Sequence, residues 1–307
     1  MKIAILGAGA MGSLYGGPLS LNNEVYLIDT WNEHVNEINE NGLIIQTTNE
    51  EKIFHPKAVT SAEDVGVADL VIIFVKSVHT AAALAGSQAL FGEDTIALTL
   101  QNGYGNDEDI LPYVREENLL IGTTASGATV LQAGKVFQAG IGPTNIGTRG
   151  NLNTKNIDKI VQLMNESGIE CYASDNIMLA IWTKLMVNVG INAVTALLDV
   201  RNGFLAECTP AYEIAEELVK EGTCVAKAEG YELDAAAIAE KYYIHGAKVV
   251  GNNRSSMLQD VDKKRKTEIE KINGAVVRIG KKHNIATPYN ELIVKLISAK
   301  EESYSFQ

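Results

Sequence analysis

The 307-residue chain is poor in several things, and each shortage excludes a class of protein. Three cysteines, Cys171, Cys208 and Cys224, are too few and too far apart for a disulfide framework. They show no C-x-x-C spacing and no neighbouring histidine, so no metal site is expected, and buried reduced thiols of a cytoplasmic protein are. The five histidines are scattered and form no H-E-x-x-H or related motif. Positive charge is scarce. Lys and Arg number 26 against 38 Asp and Glu, and the net charge of −12 argues against nucleic acid and anionic membrane as partners. The basic run Lys263-Lys-Arg-Lys266 is followed by Glu268 and Glu270 and reads as a solvated helix face. Apolar runs are expected to fall short of a membrane span, and a strand at the N-terminus argues against a signal peptide. With 46% apolar residues, the chain has core enough for two ordinary domains.

What it does have is concentrated at the start. Ile3-Ala-Ile-Leu6 runs straight into Gly7-x-Gly9-x-x-Gly12, the pattern of a buried first parallel strand turning into a helix that faces a pyrophosphate. Gly7 makes the tight turn, Gly9 removes a side chain between backbone and phosphate, and Gly12 lets helix and strand pack closely. The helix end offers unpaired N–H groups and the positive end of its dipole to the anion. A second strand, Glu24-Val-Tyr-Leu-Ile-Asp29, ends in an acid twenty residues after Gly9, where a dinucleotide enzyme keeps its ribose carboxylate. Such a carboxylate accepts both ribose hydroxyls and repels a 2′-phosphate. No Lys or Arg follows closely, so NAD(H) is favoured over NADP(H). Thr30-Trp-Asn-Glu33 reads as a capping box, which leaves Asp29 free of capping duty. The bland alternatives are a ligand-free glycine turn and a solvated strand-end Asp.

The first half alternates strand and helix. Ala68–Val75, Thr95–Leu100 and Leu119–Thr124 are near-continuous apolar runs of the central parallel type. Residues 134–142 and 144–147 suggest an antiparallel addition. A helix near 155–167 and a strand at 170–173 complete a doubly wound domain. Beyond Asp175 strand signals vanish, and helices are expected at 176–198, 209–229, 234–243, 255–283 and 288–300. The expected fold class is α/β: a doubly wound Rossmann domain over 1–172, then an all-helical domain over 173–307 for substrate binding and dimerisation. That order implies a cleft for a small substrate.

The run 177–198 is almost wholly apolar, yet Lys184, Asn188 and Asn192 recur every four residues, with Thr195 three further on. At about 100° per residue they share a stripe roughly 80° wide. An unpaired ammonium in apolar surroundings is costly, so this lysine wants an anion or a wet cleft. A narrow solvent stripe is the alternative, though one of that kind is usually wider and richer in Glu and Lys. Glu268 falls on the apolar side of the helix expected over 255–283, seven residues from Val261 and four from Ile272, and pairs naturally with Lys184. Ser256 reads as an N-cap or as a hydroxyl offered to a ligand. Lys76 and Asn102 stand at the carboxyl ends of strands, where open α/β sheets bind ligands.

At these residues the sequence resembles the ketopantoate reductase (2-dehydropantoate 2-reductase) family over essentially its whole length. The resemblance is carried by Gly7-Ala-Gly-Ala-Met-Gly12, Val75-Lys-Ser77, Gln101-Asn-Gly103, the stretch from Trp182 to Asn192, Arg201-Asn-Gly203, Ser255-Ser-Met-Leu-Gln-Asp260, Thr267-Glu-Ile269 and Ile272-Asn-Gly274. It implies Lys184 as proton donor and Glu268 as an active-site and cofactor carboxylate. Substrate contacts would be Asn102, Asn188, Asn192, Asn202 and Ser256. Lys76, Asn102 and the backbone of Ala128 would be cofactor contacts, beside Gly7, Ala8, Gly9, Ala10, Met11 and Gly12 of the turn and Asp29, which is read from its place after the second strand. The implied reaction reduces a 2-oxo acid to its D-(R)-2-hydroxy acid with NAD(P)H, and a homodimer through the helical domain fits the family. Asp29 departs from a mostly NADPH-dependent pattern and favours the family's NAD-dependent D-2-hydroxyacid dehydrogenases, of D-mandelate type, as the alternative. A dinucleotide sensor without chemistry is a reading of another class, and it has no need of Lys184 and Glu268.

Overall fold

The computed structural model describes residues 1–150, 154–245 and 251–306. They divide into two compact units, Met1–Gln101 with Asn106–Met178, and Asn102–Gly105 with Leu179–Gln307. The first unit thus runs past residue 172 into the start of a long helix, and a four-residue loop from the first half groups with the second unit.

In the first unit the strands are β1 (Lys2–Leu6), β2 (Glu24–Ile28), β3 (Leu43–Gln46), β4 (Glu51–Phe54), β5 (Lys57–Val59), β6 (Leu70–Ile73), β7 (Ile96–Thr99), β8 (Leu119–Thr124), β9 (Gly127–Gln132), β10 (Lys135–Gly140), β11 (Thr144–Gly147) and β12 (Cys171–Ala173). Helices α1 (Ala10–Leu19), α2 (Asn32–Asn41), α3 (Thr80–Ala85), α4 (Asn106–Ile110) and α5 (Thr154–Glu166) connect them. The main sheet has the order β12-β11-β8-β7-β6-β1-β2-β5 and is parallel except where β11 meets β8. Both faces of β1 are covered: Ile3 and Ile5 enter one core with α1, α2 and α5, and Ala4 and Leu6 enter another with Leu84, Leu90 and Ile110. That two-sided burial is why these strands read as continuous apolar runs.

The antiparallel addition is real at β11, but β10 belongs to a separate four-stranded sheet, β4-β3-β10-β9. Strands β5 and β9 and this second sheet were not legible. Its parallel β3–β10 pairing joins Ile44 to Lys135, far apart in sequence, and leaves no local pattern. Of the cysteines, Cys171 is buried, where burial pushes its thiol up to about 12, whereas Cys208 is partly exposed and Cys224 exposed. The expectation of buried thiols therefore holds for Cys171 alone.

The second unit takes most of α6 (Ile177–Leu198), then α7 (Phe204–Glu207), α8 (Thr209–Ala228), α9 (Ala235–Ile238), α10 (Ser256–Asp262), α11 (Asn273–Lys282) and α12 (Pro288–Glu302). A π-helical turn over Ala239–His245 continues α9, and its buried Tyr243 hydroxyl donates to the Met186 carbonyl at 2.9 Å. Contrary to expectation, α6 is long and apolar enough to cross a membrane by length and composition, but 56% of its most apolar window is buried. The single helix expected over 255–283 is broken. Lys264 takes φ +49°, and the Thr267 N–H leaves the helical ladder for Glu301 Oε1 at 2.8 Å. The basic run Lys263–Lys266 is exposed as expected, but it lies at this break rather than on a helix face.

Candidate active site

In the first unit, β1 delivers the glycine turn. Gly7 has φ +98°, and a Cβ there would stand 2.6 Å from the Val75 nitrogen. A Cβ on Gly12 would meet the Gly7 carbonyl oxygen at 1.9 Å. At Gly9, by contrast, a Cβ would meet nothing within 4 Å. The turn is therefore tight against protein on two glycines and open on the third, the shape a pyrophosphate needs. Helix α1 starts at Ala10, so the N–H groups of Ala10, Met11 and Gly12 lie in the first turn, where the helix itself supplies no acceptor.

Asp29 stands at the end of β2 beside this turn. Its Oδ2 accepts the Ala8 N–H at 2.9 Å and its Oδ1 accepts the Trp31 N–H at 3.0 Å. The capping box is a correction: α2 begins at Asn32 with Trp31 as its N-cap residue and no side-chain cap. Asp29 is not free of such duty as expected: its short side chain reaches two residues on to the Trp31 N–H and ties down the entry to α2. Each carboxylate oxygen retains a second lone pair for a ribose hydroxyl. Residues that sequence reasoning missed complete the turn. Buried Ser13 donates to the Ala8 carbonyl at 2.8 Å, and buried His34 lies between that carbonyl and the Gly134 N–H. Burial holds the His34 imidazole below its ordinary pKa.

Lys76 caps the 3-10 turn Ser77–His79 after β6 and is partly buried. The Gln101 amide joins the two strand ends, donating to the Val75 carbonyl at 2.5 Å and to Thr80 Oγ1 at 2.8 Å. Ala128 lies in β9 opposite Gln138, with its methyl packed on the core.

The second unit gathers Asn102, Lys184, Asn188, Asn192, Asn202, Ser256 and Glu268 into one compact body. On α6, Lys184 and Asn188 are partly buried and Asn192 is buried, and neither amide has a hydrogen-bond partner among the described residues. Burial lowers the Lys184 amine to about 8, against the upward pull of the Glu268 charge. Thr195, fourth in the stripe, is structural: its hydroxyl donates to Ser255 Oγ at 2.8 Å. Ser255 is the N-cap of α10, accepting the Leu258 N–H at 3.2 Å, so Ser256 is exposed and free of that duty.

Glu268 reaches the lysine by a different route from the one its spacing suggested. It sits in a turn before the 3-10 segment Ile269–Lys271, not on a continuous helix. Lys271 in that segment holds the Asn102 loop, accepting the Tyr104 N–H at 2.8 Å and donating to the Gly105 carbonyl at 3.0 Å. Tyr104 in turn lies on buried Trp182, with ring centroids 4.9 Å apart. Asn202 is aligned by its N–H to the Asn253 carbonyl at 3.0 Å, and Arg254 clamps the same loop to Asp199 and Asp262 at 2.8 and 2.7 Å. No sequence signal marked Lys271, whose partners lie in a loop far away in the chain, or Arg254, which joins nearby Asp262 to distant Asp199.

The first unit thus carries an anion-ready dinucleotide turn, and the second carries a desolvated amine with a carboxylate and unspent amides. Comparison with known proteins agrees. Residues 3–151 match the family described as "Ketopantoate reductase PanE/ApbA", and residues 176–301 match its C-terminal counterpart. A 2-dehydropantoate 2-reductase of Halobacterium salinarum is 36% identical over 301 residues, covering 97% of this chain and 98% of that protein. One from Lactococcus lactis is 36% identical over 307 residues, with 98% of each covered. Among solved structures, a D-mandelate dehydrogenase with NADH and anilino(oxo)acetate superposes with a TM-score of 0.92 at 36% identity, covering 99% of both chains.

Proposed function

This chain belongs to the ketopantoate reductase family, and we propose that it reduces a 2-oxo acid to the D-(R)-2-hydroxy acid, with ketopantoate as substrate and NADH as preferred reductant. The observation that carries the reading is Lys184: an amine whose pKa of about 8 suits a proton donor near neutral pH, beside Glu268 and in line with two unspent amides.

The residues divide the work. The N–H groups of Ala10, Met11 and Gly12 take the pyrophosphate, and Asp29 takes the ribose hydroxyls. Lys76, Asn102, Ala128 and Glu268 are assigned to the rest of the dinucleotide. When bound, a reduced nicotinamide supplies the hydride. Asn102, Asn188, Asn192, Asn202 and Ser256 hold the carboxylate and hydroxyl of the substrate. The Lys184 ammonium stabilises negative charge developing on the ketone oxygen and donates its proton there. Glu268 keeps that amine charged and oriented.

A second reading rests on Asp29 and on the likeness to D-mandelate dehydrogenase: an NAD-dependent D-2-hydroxyacid dehydrogenase acting on bulkier acids. One steady-state screen separates the two. NADH and NADPH are each assayed against ketopantoate and phenylglyoxylate. Faster turnover of ketopantoate supports the first reading, and faster turnover of phenylglyoxylate the second. No turnover of either, with dinucleotide still bound, returns the chain to a sensor. A homodimer through the helical unit and a cytoplasmic location belong to the same proposal, and sedimentation and cell fractionation test them.

A further inference from the structure

His34 is a fully buried titratable group that the proposed chemistry does not use. Its partners determine its tautomer. The Gly134 N–H can act as a donor alone, so Nδ1 accepts it at 2.9 Å and the ring proton sits on Nε2. Nε2 then donates to the Ala8 carbonyl at 2.9 Å, with Ser13 Oγ further off at 3.4 Å. The same carbonyl accepts from Ser13 at 2.8 Å, while the Ala8 N–H is held by Asp29. Both backbone polar groups of the residue before Gly9 are thus secured by side chains. One ring face is covered by Trp31, stacked at 4.9 Å and 7° between planes. Gly134 is the turn between β9 and β10, so the imidazole also joins the second sheet to the glycine turn.

We propose that His34 is the positioning residue of the dinucleotide turn: with one nitrogen on the Ala8 carbonyl and the other on the Gly134 amide, it sets the peptide before Gly9 so that the first-turn N–H groups of α1 stay aimed at the pyrophosphate. The inference rests on the dinucleotide reading given above. It follows from the cost of leaving a buried carbonyl loose at a point where a shift of a fraction of an ångström redirects three donors. A role confined to stability would lower the melting temperature and leave the affinity of the folded protein unchanged.

The test separates the two nitrogens. His34→Gln places an amide near Nε2 and keeps a donor for Ala8. His34→Asn keeps an acceptor near Nδ1 for Gly134 and loses the Ala8 bond. NADH and NADPH are titrated by quenching of tryptophan emission, since Trp31 touches His34, alongside melting curves and steady-state kinetics. The expected result is a dissociation constant within about threefold of wild type for the Gln variant. The Asn variant binds at least about tenfold more weakly, with KM for the dinucleotide rising in step and kcat at saturation within about twofold. A folded Asn variant with wild-type affinity, or a Gln variant as weak as Asn, overturns the proposal. Should the Asn variant not fold, His34→Leu, which fills the space but makes neither bond, takes its place, and wild-type affinity in that folded variant overturns the proposal equally. If the wild-type chain binds neither dinucleotide, the dinucleotide reading itself falls and takes this inference with it.

Discussion

The Glu268 charge raises the proton affinity of the Lys184 amine that burial lowers, and the balance leaves that amine at about 8. The free-enzyme kcat/KM for reduction should therefore be flat below this pH and fall as pH rises through it, because the donor loses its proton; oxidation of the hydroxy acid should rise over the same range. Glu268→Gln removes the upward pull and should move the alkaline limb to lower pH. A limb that stays in place in the Gln variant would show that Glu268 does not act on the amine.

Lys184→Ala should cut turnover by a factor on the order of 10² to 10⁴ with dinucleotide affinity nearly intact. Lys184→Met should do the same and also stabilise the fold. The native pKa lies below the ordinary 10.5, so folding disfavours the proton. The cost is full below about pH 8 and fades between 8 and 10.5, where the unfolded chain holds a proton that the native chain has released. Its size is on the order of 3 kcal/mol. Denaturant midpoints for wild type and Met variant at pH 7 and pH 10 should converge at the higher pH.

Asn188→Ala or Asn192→Ala should raise KM for the oxo acid, equivalent to about 1–3 kcal/mol of lost binding, without altering the melting temperature. The amides have no partner among the described residues to lose. Misfolding with unchanged kinetics in the folded fraction would make them structural.

Asp29 should give NADH at least about a tenfold advantage over NADPH in kcat/KM, roughly 1.4 kcal/mol. Asp29→Ser should erode that ratio, and because the carboxylate also holds the Ala8 and Trp31 N–H groups, affinity for both dinucleotides should fall with it. A wild-type preference for NADPH would refute the assignment.

Gly103 has φ +92°, and a Cβ there would lie 2.5 Å from the Lys271 carbonyl oxygen. Gly103→Ala should destabilise by about 1–3 kcal/mol and raise the oxo-acid KM by displacing Asn102. Calorimetry and substrate titration on the same preparation check both halves.

The sequence by itself determined what local chemistry can specify. The GxGxxG turn, the acid at the end of β2 and the two-sided apolar strands announce a dinucleotide fold, because each obeys a short-range rule of backbone geometry or burial. The polar stripe of α6 was readable for the same reason: helical periodicity puts Lys184, Asn188 and Asn192 on one face before anything packs against it. Tertiary structure decided the rest. It broke the helix expected over 255–283 and brought Glu268 to Lys184 by a turn, handed capping to Ser255 instead of Ser256, and paired β3 with β10. It moved the Asn102 loop into the helical unit through Lys271 and placed His34 against Ala8. Apart from the Ser255 cap, these depend on partners tens to hundreds of residues away, and a buried hydrogen bond to a distant backbone group leaves no periodic trace in the residues that make it.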